Sequence, residues 1–184
     1  MSETARNLRE NIVLVGFMGS GKSSIGRSIA KRLGYRFLDS DQVVIERAGR
    51  PIAQIFAEEG EEKFRDLETS ALASLREVER CVIATGGGAV LREQNRRLLR
   101  ELGFVACLKA SEEVIFKRVS RTNKRPLLRT ENPRETLHQL LTARQAAYEE
   151  TAQFTLDTTE MTQPEAAETI MEEARRAFMW NRAV

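Results

Sequence analysis

The stretch Gly16-Phe17-Met18-Gly19-Ser20-Gly21-Lys22-Ser23 fits the spacing GxxxxGK[ST]. It follows the apolar run Ile12-Val13-Leu14-Val15, which reads as a buried strand, and it leads into the helical spacing of Ser20 to Leu33. Glycines there let successive backbone N–H groups converge on phosphate oxygens, and the following helix aims the positive end of its dipole at the same point. Lys22 then reaches the β- and γ-phosphates, and Ser23 offers its hydroxyl to Mg²⁺. A turn that serves packing alone would account for the glycines but not for the Lys-Ser pair. Binding of a nucleoside triphosphate is the firmest expectation from the sequence.

Outward from this loop, short β-like runs alternate with helical ones, which argues for βαβ units and a parallel sheet covered by helices on both faces. Tyr35 to Leu38 reads as a strand ending in Asp39-Ser40-Asp41, and helical stretches continue to about Glu79. Cys81-Val82-Ile83-Ala84 is a third strand that runs into Thr85 and three glycines. A helix over Glu93–Glu101, the run Phe104-Val105-Ala106-Cys107-Leu108 and a helix capped by Ser111 follow. Periodicity is lost between about Ser120 and Arg134, then resumes as a helix to about Thr151. A weak strand at Phe154–Leu156 precedes the capping box Thr162-x-x-Glu165 of the last helix.

The length of 184 residues suits one domain, so residues 1–184 are read as a single unit. With 29 Lys and Arg against 27 Asp and Glu, the net charge of +2 lacks the basic excess of a nucleic-acid binder. Cys81 and Cys107 lie in apolar runs without CxxC spacing, which reads as two core thiols in a reducing compartment rather than a disulfide or zinc site. No run approaches the ~18 apolar residues of a membrane span, and the start MSETARNLRE lacks a signal-peptide core. A cytoplasmic protein with no membrane partner is expected.

The phosphate loop alone does not separate a small-molecule kinase from a GTPase switch or a motor ATPase. Neither an N/T-K-x-D element nor a D-x-x-G switch is found, and the strand-terminal acids are Asp39 and Asp41. At the carboxyl edge of a parallel sheet, such an Asp can orient an alcohol and accept its proton, or else cap the next helix. Arg65 lies in a helical stretch after Glu58-Glu59-Gly60-Glu61-Glu62, where it either binds an anion or pairs with Glu61 one turn away. Gly86, Gly87 and Gly88 read as a close approach of ligand to bare backbone, or as an ordinary bend. Lys117 to Arg134 holds seven Lys or Arg and one acid, without aromatics. It reads as a lid that closes over phosphates, with a solvated basic loop as the alternative. Arg144, on the helix that follows, can hold an anionic substrate or stay at the surface.

Together, GFMGSGKSSIGR, FLDSD, IFAEEGEEKFRDLE, ATGGGAV, RPLL and ARQAAYEE occur in one order over about residues 11 to 160, and with them the chain resembles the shikimate kinase family of nucleoside-monophosphate-kinase-like P-loop proteins. The resemblance implies a three-layer α/β/α P-loop kinase whose five-stranded parallel sheet has the order 2-3-1-4-5. It implies a mobile lid at about 118–134 and a substrate-binding helical region at about 40–79. The activity implied is Mg-dependent transfer of the ATP γ-phosphoryl group to the 3-hydroxyl of shikimate, in aromatic amino-acid and chorismate biosynthesis. ATP and shikimate are then the small-molecule partners, and a monomer is expected. A gluconate-type kinase, which shares the loop and the size, and a non-catalytic ATP-binding protein are the alternatives.

Carried onto this sequence, the resemblance gives the ATP phosphates to Gly19, Ser20, Gly21, Lys22, Ser23 and Ser24, with Ser23 on Mg²⁺ directly and Asp39 on it through water. Asp41 is implied to bind the shikimate hydroxyls and orient or deprotonate the attacking oxygen. Arg65 and Arg144 hold its carboxylate, a role that suits the planar guanidinium fork. Gly86, Gly87 and Gly88 contact shikimate through the backbone. Arg125 comes down onto the phosphates, and Arg118 lies against the adenine. The loop at 158–163 carries no motif that transfers.

Overall fold

The computed structural model describes residues 10–120 and 130–182. Its strands are β1 (Ile12–Gly16), β2 (Arg36–Asp39), β3 (Cys81–Ala84), β4 (Phe104–Lys109) and β5 (Phe154–Asp157). Between and after them run α1 (Lys22–Leu33), α2 (Ser40–Ala48), α3 (Ile52–Ser74), α4 (Glu93–Leu102), α5 (Glu112–Ser120), α6 (Pro133–Thr151) and α7 (Gln163–Arg182). The strands form one parallel sheet in the order β2-β3-β1-β4-β5, as expected, with Leu14 of β1 in register with Ala84 on one side and Ala106 on the other.

The central strands are apolar on both faces because both are covered. Along β1, Val13 and Val15 join Ile83, Val105, Leu72, Leu99 and Leu137 beneath α3, α4 and α6. Ile12 and Leu14 face the opposite way, into Ile25, Ile29, Ala167 and Ile170 of α1 and α7. This period-2 alternation divides one strand between two cores and fixes its register. A smaller cluster, Val44, Ile55, Phe64 and Ala71, joins α2 to α3 and stiffens the helical region that overhangs the sheet edge. Both cysteines are buried and unbonded to each other, and burial pushes the Cys107 thiol up to about 11.

Three boundaries differ from the sequence reading. α1 begins at Lys22 rather than Ser20, since Gly21 before it sits at φ 98, ψ 5. The helical stretches end at Ser74 rather than about Glu79, and α3 is broken at Gly60 with φ 82, ψ 179. Arg134 lies on α6, its guanidinium 4.5 Å from the Phe116 ring, rather than in a loop. Pro133 reads as a breaker, but at the first turn its missing N–H costs the helix nothing. Among the described residues no helix is long and apolar enough to cross a membrane.

Candidate active site

The β1–α1 loop curls around the head of α1. Ser20 N–H bonds the Phe17 carbonyl at 3.2 Å, closing the turn, and the Lys22 ammonium donates to the Gly16 and Phe17 carbonyls at 2.7 and 2.8 Å. Gly19, Ser20, Gly21, Lys22, Ser23 and Ser24 line a cleft of about 430 Å³. Gly21 brings no side chain to the first-turn N–H groups of α1, so these and the helix dipole are presented to whatever fills the cleft. Arg118 lines it from α5 and donates to the Gly19 carbonyl at 3.2 Å. Thr158, Met161, Thr162 and Gln163 line it too. These four fall in the 158–163 stretch, which carries no motif that transfers. Arg125 lies outside the described residues, as does the middle of the expected lid.

Asp39 ends β2 at the same cleft and does two things at once. One carboxylate oxygen accepts from the Asp41 N–H at 3.1 Å and caps α2; the other accepts from the Ser23 hydroxyl at 3.2 Å. Capping is thus one of the two readings the sequence left for this Asp, and its second oxygen is turned to Ser23. A hydroxyl and a carboxylate are hard oxygen donors of the kind Mg²⁺ prefers. No group of three His, Cys, Asp or Glu among the described residues could hold a metal alone, so such an ion would complete its shell with phosphate oxygens and water.

Gly86 and Gly87 line the cleft on its other side, with Asp41. The turn they belong to is held by its neighbours: Gly86 N–H donates to the buried Ser40 hydroxyl at 3.1 Å, and the Tyr148 hydroxyl donates to the Gly87 carbonyl at 2.5 Å. The glycines are needed here by the protein's own side chains. A Cβ on Gly86 would lie 2.5 Å from Asp41 Oδ1, and one on Gly88 would lie 2.4 Å from Arg65 Nη1. The turn thus lies against both the carboxylate of α2 and the guanidinium of α3.

Arg65, Gly88 and Arg144 do not line the first cleft; they form a second cluster beyond the turn. Arg65 is 7% exposed, with Nη1 on Glu68 Oε2 and Nη2 on Glu61 Oε1, each at 2.9 Å. The pairing with Glu61 and a buried, site-facing placement therefore coexist. Glu68 is buried, and burial, with the Asp41 charge adding to it, raises its carboxyl above the usual range despite Arg65. Arg144 is buried on α6, 5.6 Å from the Phe17 ring of the phosphate loop. Two buried guanidinium groups near a bare backbone turn have the donor geometry to pair with a planar anion such as a carboxylate.

The sequence reading missed Ser40, Glu68 and Tyr148. Two had a usable signal: Glu68 is three residues after Arg65 and Tyr148 four after Arg144, so each shares a helix face with a candidate arginine.

The chain matches the family model described as shikimate kinase over residues 18–175. It is 47% identical over 167 residues to the shikimate kinase of Thermodesulfovibrio yellowstonii, covering 91% of this chain and 96% of that one. To the shikimate kinase of Geobacter sulfurreducens it is 52% identical over 148 residues, 80% and 81% of the two chains. Among solved structures, the shikimate kinase from Acinetobacter baumannii in complex with shikimate superimposes with a TM-score of 0.85 at 40% identity, over 94% of this chain and 96% of that one.

Proposed function

The chain belongs to the shikimate kinase family, an ATP-dependent phosphotransferase acting on shikimate, and from that premise we propose how its groups divide the work. The β1–α1 loop binds the ATP phosphates through its N–H groups and Lys22, with Arg118 at the nucleotide. Ser23 directly and Asp39 through water would hold Mg²⁺, which when bound neutralises charge on the transferring phosphoryl group. Arg65 and Arg144 bind the acceptor's carboxylate, and Gly88 adds its backbone N–H. Gly86 and Gly87 form the floor between the two substrates. Asp41 receives the acceptor hydroxyls, aims the 3-hydroxyl at the γ-phosphoryl group and accepts its proton. Arg125 is assigned to the phosphates on the resemblance of Arg125-Pro126-Leu127-Leu128 to the family motif.

The observation that carries this reading is the glycine turn. It packs directly against both the Asp41 carboxylate and the Arg65 guanidinium, at the rim of the phosphate-binding cleft. A hydroxy acid held by its carboxylate at the arginines then presents a hydroxyl to Asp41. Phosphoryl transfer through a loose transition state asks chiefly for such positioning. The family match favours shikimate over a gluconate-type acceptor and over ATP binding without turnover. A monomeric working unit in the cytoplasm completes the proposal.

The test is ADP release, followed by a coupled assay, with shikimate, with gluconate and with no acceptor. ADP is expected with shikimate alone. In Asp41→Asn, kcat should fall ~10²–10⁴-fold, the usual contribution of a positioned base. An Asp41→Asn enzyme with wild-type kcat would remove Asp41 from the chemical step.

A further inference from the structure

Tyr148 has no part in the assignment above, yet it holds the peptide unit whose N–H is proposed to meet the carboxylate. Its ring is packed in the core under α6 beside Phe17, Cys107 and Leu137, and its hydroxyl reaches the Gly87 carbonyl at 2.5 Å. Arg144 lies one helical turn earlier on the same face, close enough for its charge to act on the phenol. Burial pushes the phenol above the ordinary tyrosine range, outweighing the nearby charges of Arg144 and Arg65, so it remains a donor to Gly87.

The Gly87 carbonyl and the Gly88 N–H belong to one peptide unit. No peptide bond among the described residues is cis, and in a planar trans unit the C=O and N–H point in opposite directions. Fixing the carbonyl on the Tyr148 side therefore aims the Gly88 N–H to the other. The Thr85–Gly86 unit is fixed separately by Gly86 N–H to Ser40, and Ala89 N–H to the Gly86 carbonyl at 3.1 Å closes the turn, so its ends are pinned and Tyr148 holds the unit between them. Three glycines carry no side chains that could set its conformation, which leaves hydrogen bonds to do so. Donation to the carbonyl also polarises the amide and strengthens its N–H as a donor.

We propose that Tyr148 is a positioning residue for the acceptor: its hydroxyl, on the helix face that also carries Arg144, sets the direction of the Gly88 N–H, so that this N–H meets the carboxylate. The proposal rests on the carboxylate site assigned above. Tyr148→Phe keeps the packed ring and deletes only the hydroxyl. The shikimate KM should rise ~2–10-fold, the range represented by one lost hydrogen bond, while the ATP KM changes less than twofold.

The experiment compares wild type and Tyr148→Phe by initial rates with shikimate and with its methyl ester, alongside melting temperatures. With the ester, which lacks the anionic carboxylate, the two enzymes should show the same KM. Equal shikimate KM values in both enzymes, with wild type still preferring acid to ester, overturn the Tyr148 role and leave the carboxylate site standing. A parallel rise in both KM values also overturns it, since general loosening would do that. A wild type that takes acid and ester equally overturns the carboxylate site and the role of Tyr148 with it.

Should the variant fail to fold, a second measurement uses the fact that the only other tyrosine is Tyr35. In a Tyr35→Phe protein labelled with 3-fluorotyrosine, a ¹⁹F resonance that moves on adding shikimate but not the ester supports the proposal. A resonance indifferent to both overturns it.

Discussion

The guanidinium of Arg65 lies against the bare Cα of Gly88, so closely that a Cβ there would come 2.4 Å from Nη1, 2.5 Å from Nη2 and 2.7 Å from Cζ. Arg65 cannot swing aside cheaply, because Nη1 is on the buried Glu68 and Nη2 on Glu61. Gly88→Ala should therefore displace the guanidinium rather than be absorbed by it. We expect the shikimate KM to rise at least about tenfold, some 1.4 kcal/mol of binding, with the ATP KM nearly unchanged. Initial-rate kinetics with each substrate varied in turn check this; equal effects on both would mean that the turn has collapsed.

This contact also shows where the sequence was and was not legible. The β1–α1 loop announces itself because its chemistry is local: Lys22, Ser23 and the glycines do their work where they stand in the chain. Asp39 and Asp41 were visible for the same reason, at the end of a short strand. The reason for Gly86 and Gly88 was only half legible. A glycine run signals that something approaches the backbone, but that the something includes Asp41 Oδ1 and the Arg65 guanidinium depends on packing of three separate segments. Glu68 looked like one more acid in an acidic helix, since burial, which makes it unusual, is not written locally. Ser40 sits in the quoted FLDSD string, yet its bond to Gly86 spans 46 residues.

Glu68 gives a pH test. Its folded-state carboxyl is raised above the ordinary value by burial, so the native state holds this proton more tightly than the unfolded chain does. The stability it contributes is fully present below the ordinary glutamate range and is lost as pH rises through the raised folded value. Glu68→Gln removes that dependence. The stability lost in Glu68→Gln should thus be largest at low pH and shrink toward neutrality, measured by urea unfolding of both proteins from pH 4 to 7. A loss that grows with pH would mean that the Arg65 ion pair outweighs burial.

Gly60 breaks α3 with φ 82 and ψ 179, a region essentially closed to other residues. Nothing lies within 4 Å of a Cβ placed there, so a substitution meets no clash and tests the backbone alone. Gly60→Ala should destabilise by about 1–3 kcal/mol, read as a lower urea midpoint at unchanged m-value. Gly60→Asn should do no better, since asparagine tolerates the left-handed helical region, where ψ is near ~47°, and not this one. Wild-type stability in either variant would mean that the helix can rejoin without the kink.

His138 is the chain's one histidine, and its Nδ1 lies 2.9 Å from Glu112 Oε2, joining α6 to the start of α5. The hydrogen bond to Glu112, then its charge, with a smaller contribution from Glu135, raises the imidazole above its ordinary value. Stability from this pair is present below the unfolded pKa near ~6.5 and is lost as pH rises through the higher folded value. Both groups are exposed, so the Coulombic part should be screened at ~1 M salt, where the Debye length is about 3 Å. A single NMR titration decides it. The imidazole C–H resonance of wild type should titrate above ~6.5, Glu112→Gln should bring the midpoint back toward that value, and high salt should do part of the same. A midpoint that Glu112→Gln leaves in place would show that the two side chains do not meet in solution, and that α5 and α6 are held together by Ile115, Leu137 and their apolar neighbours alone.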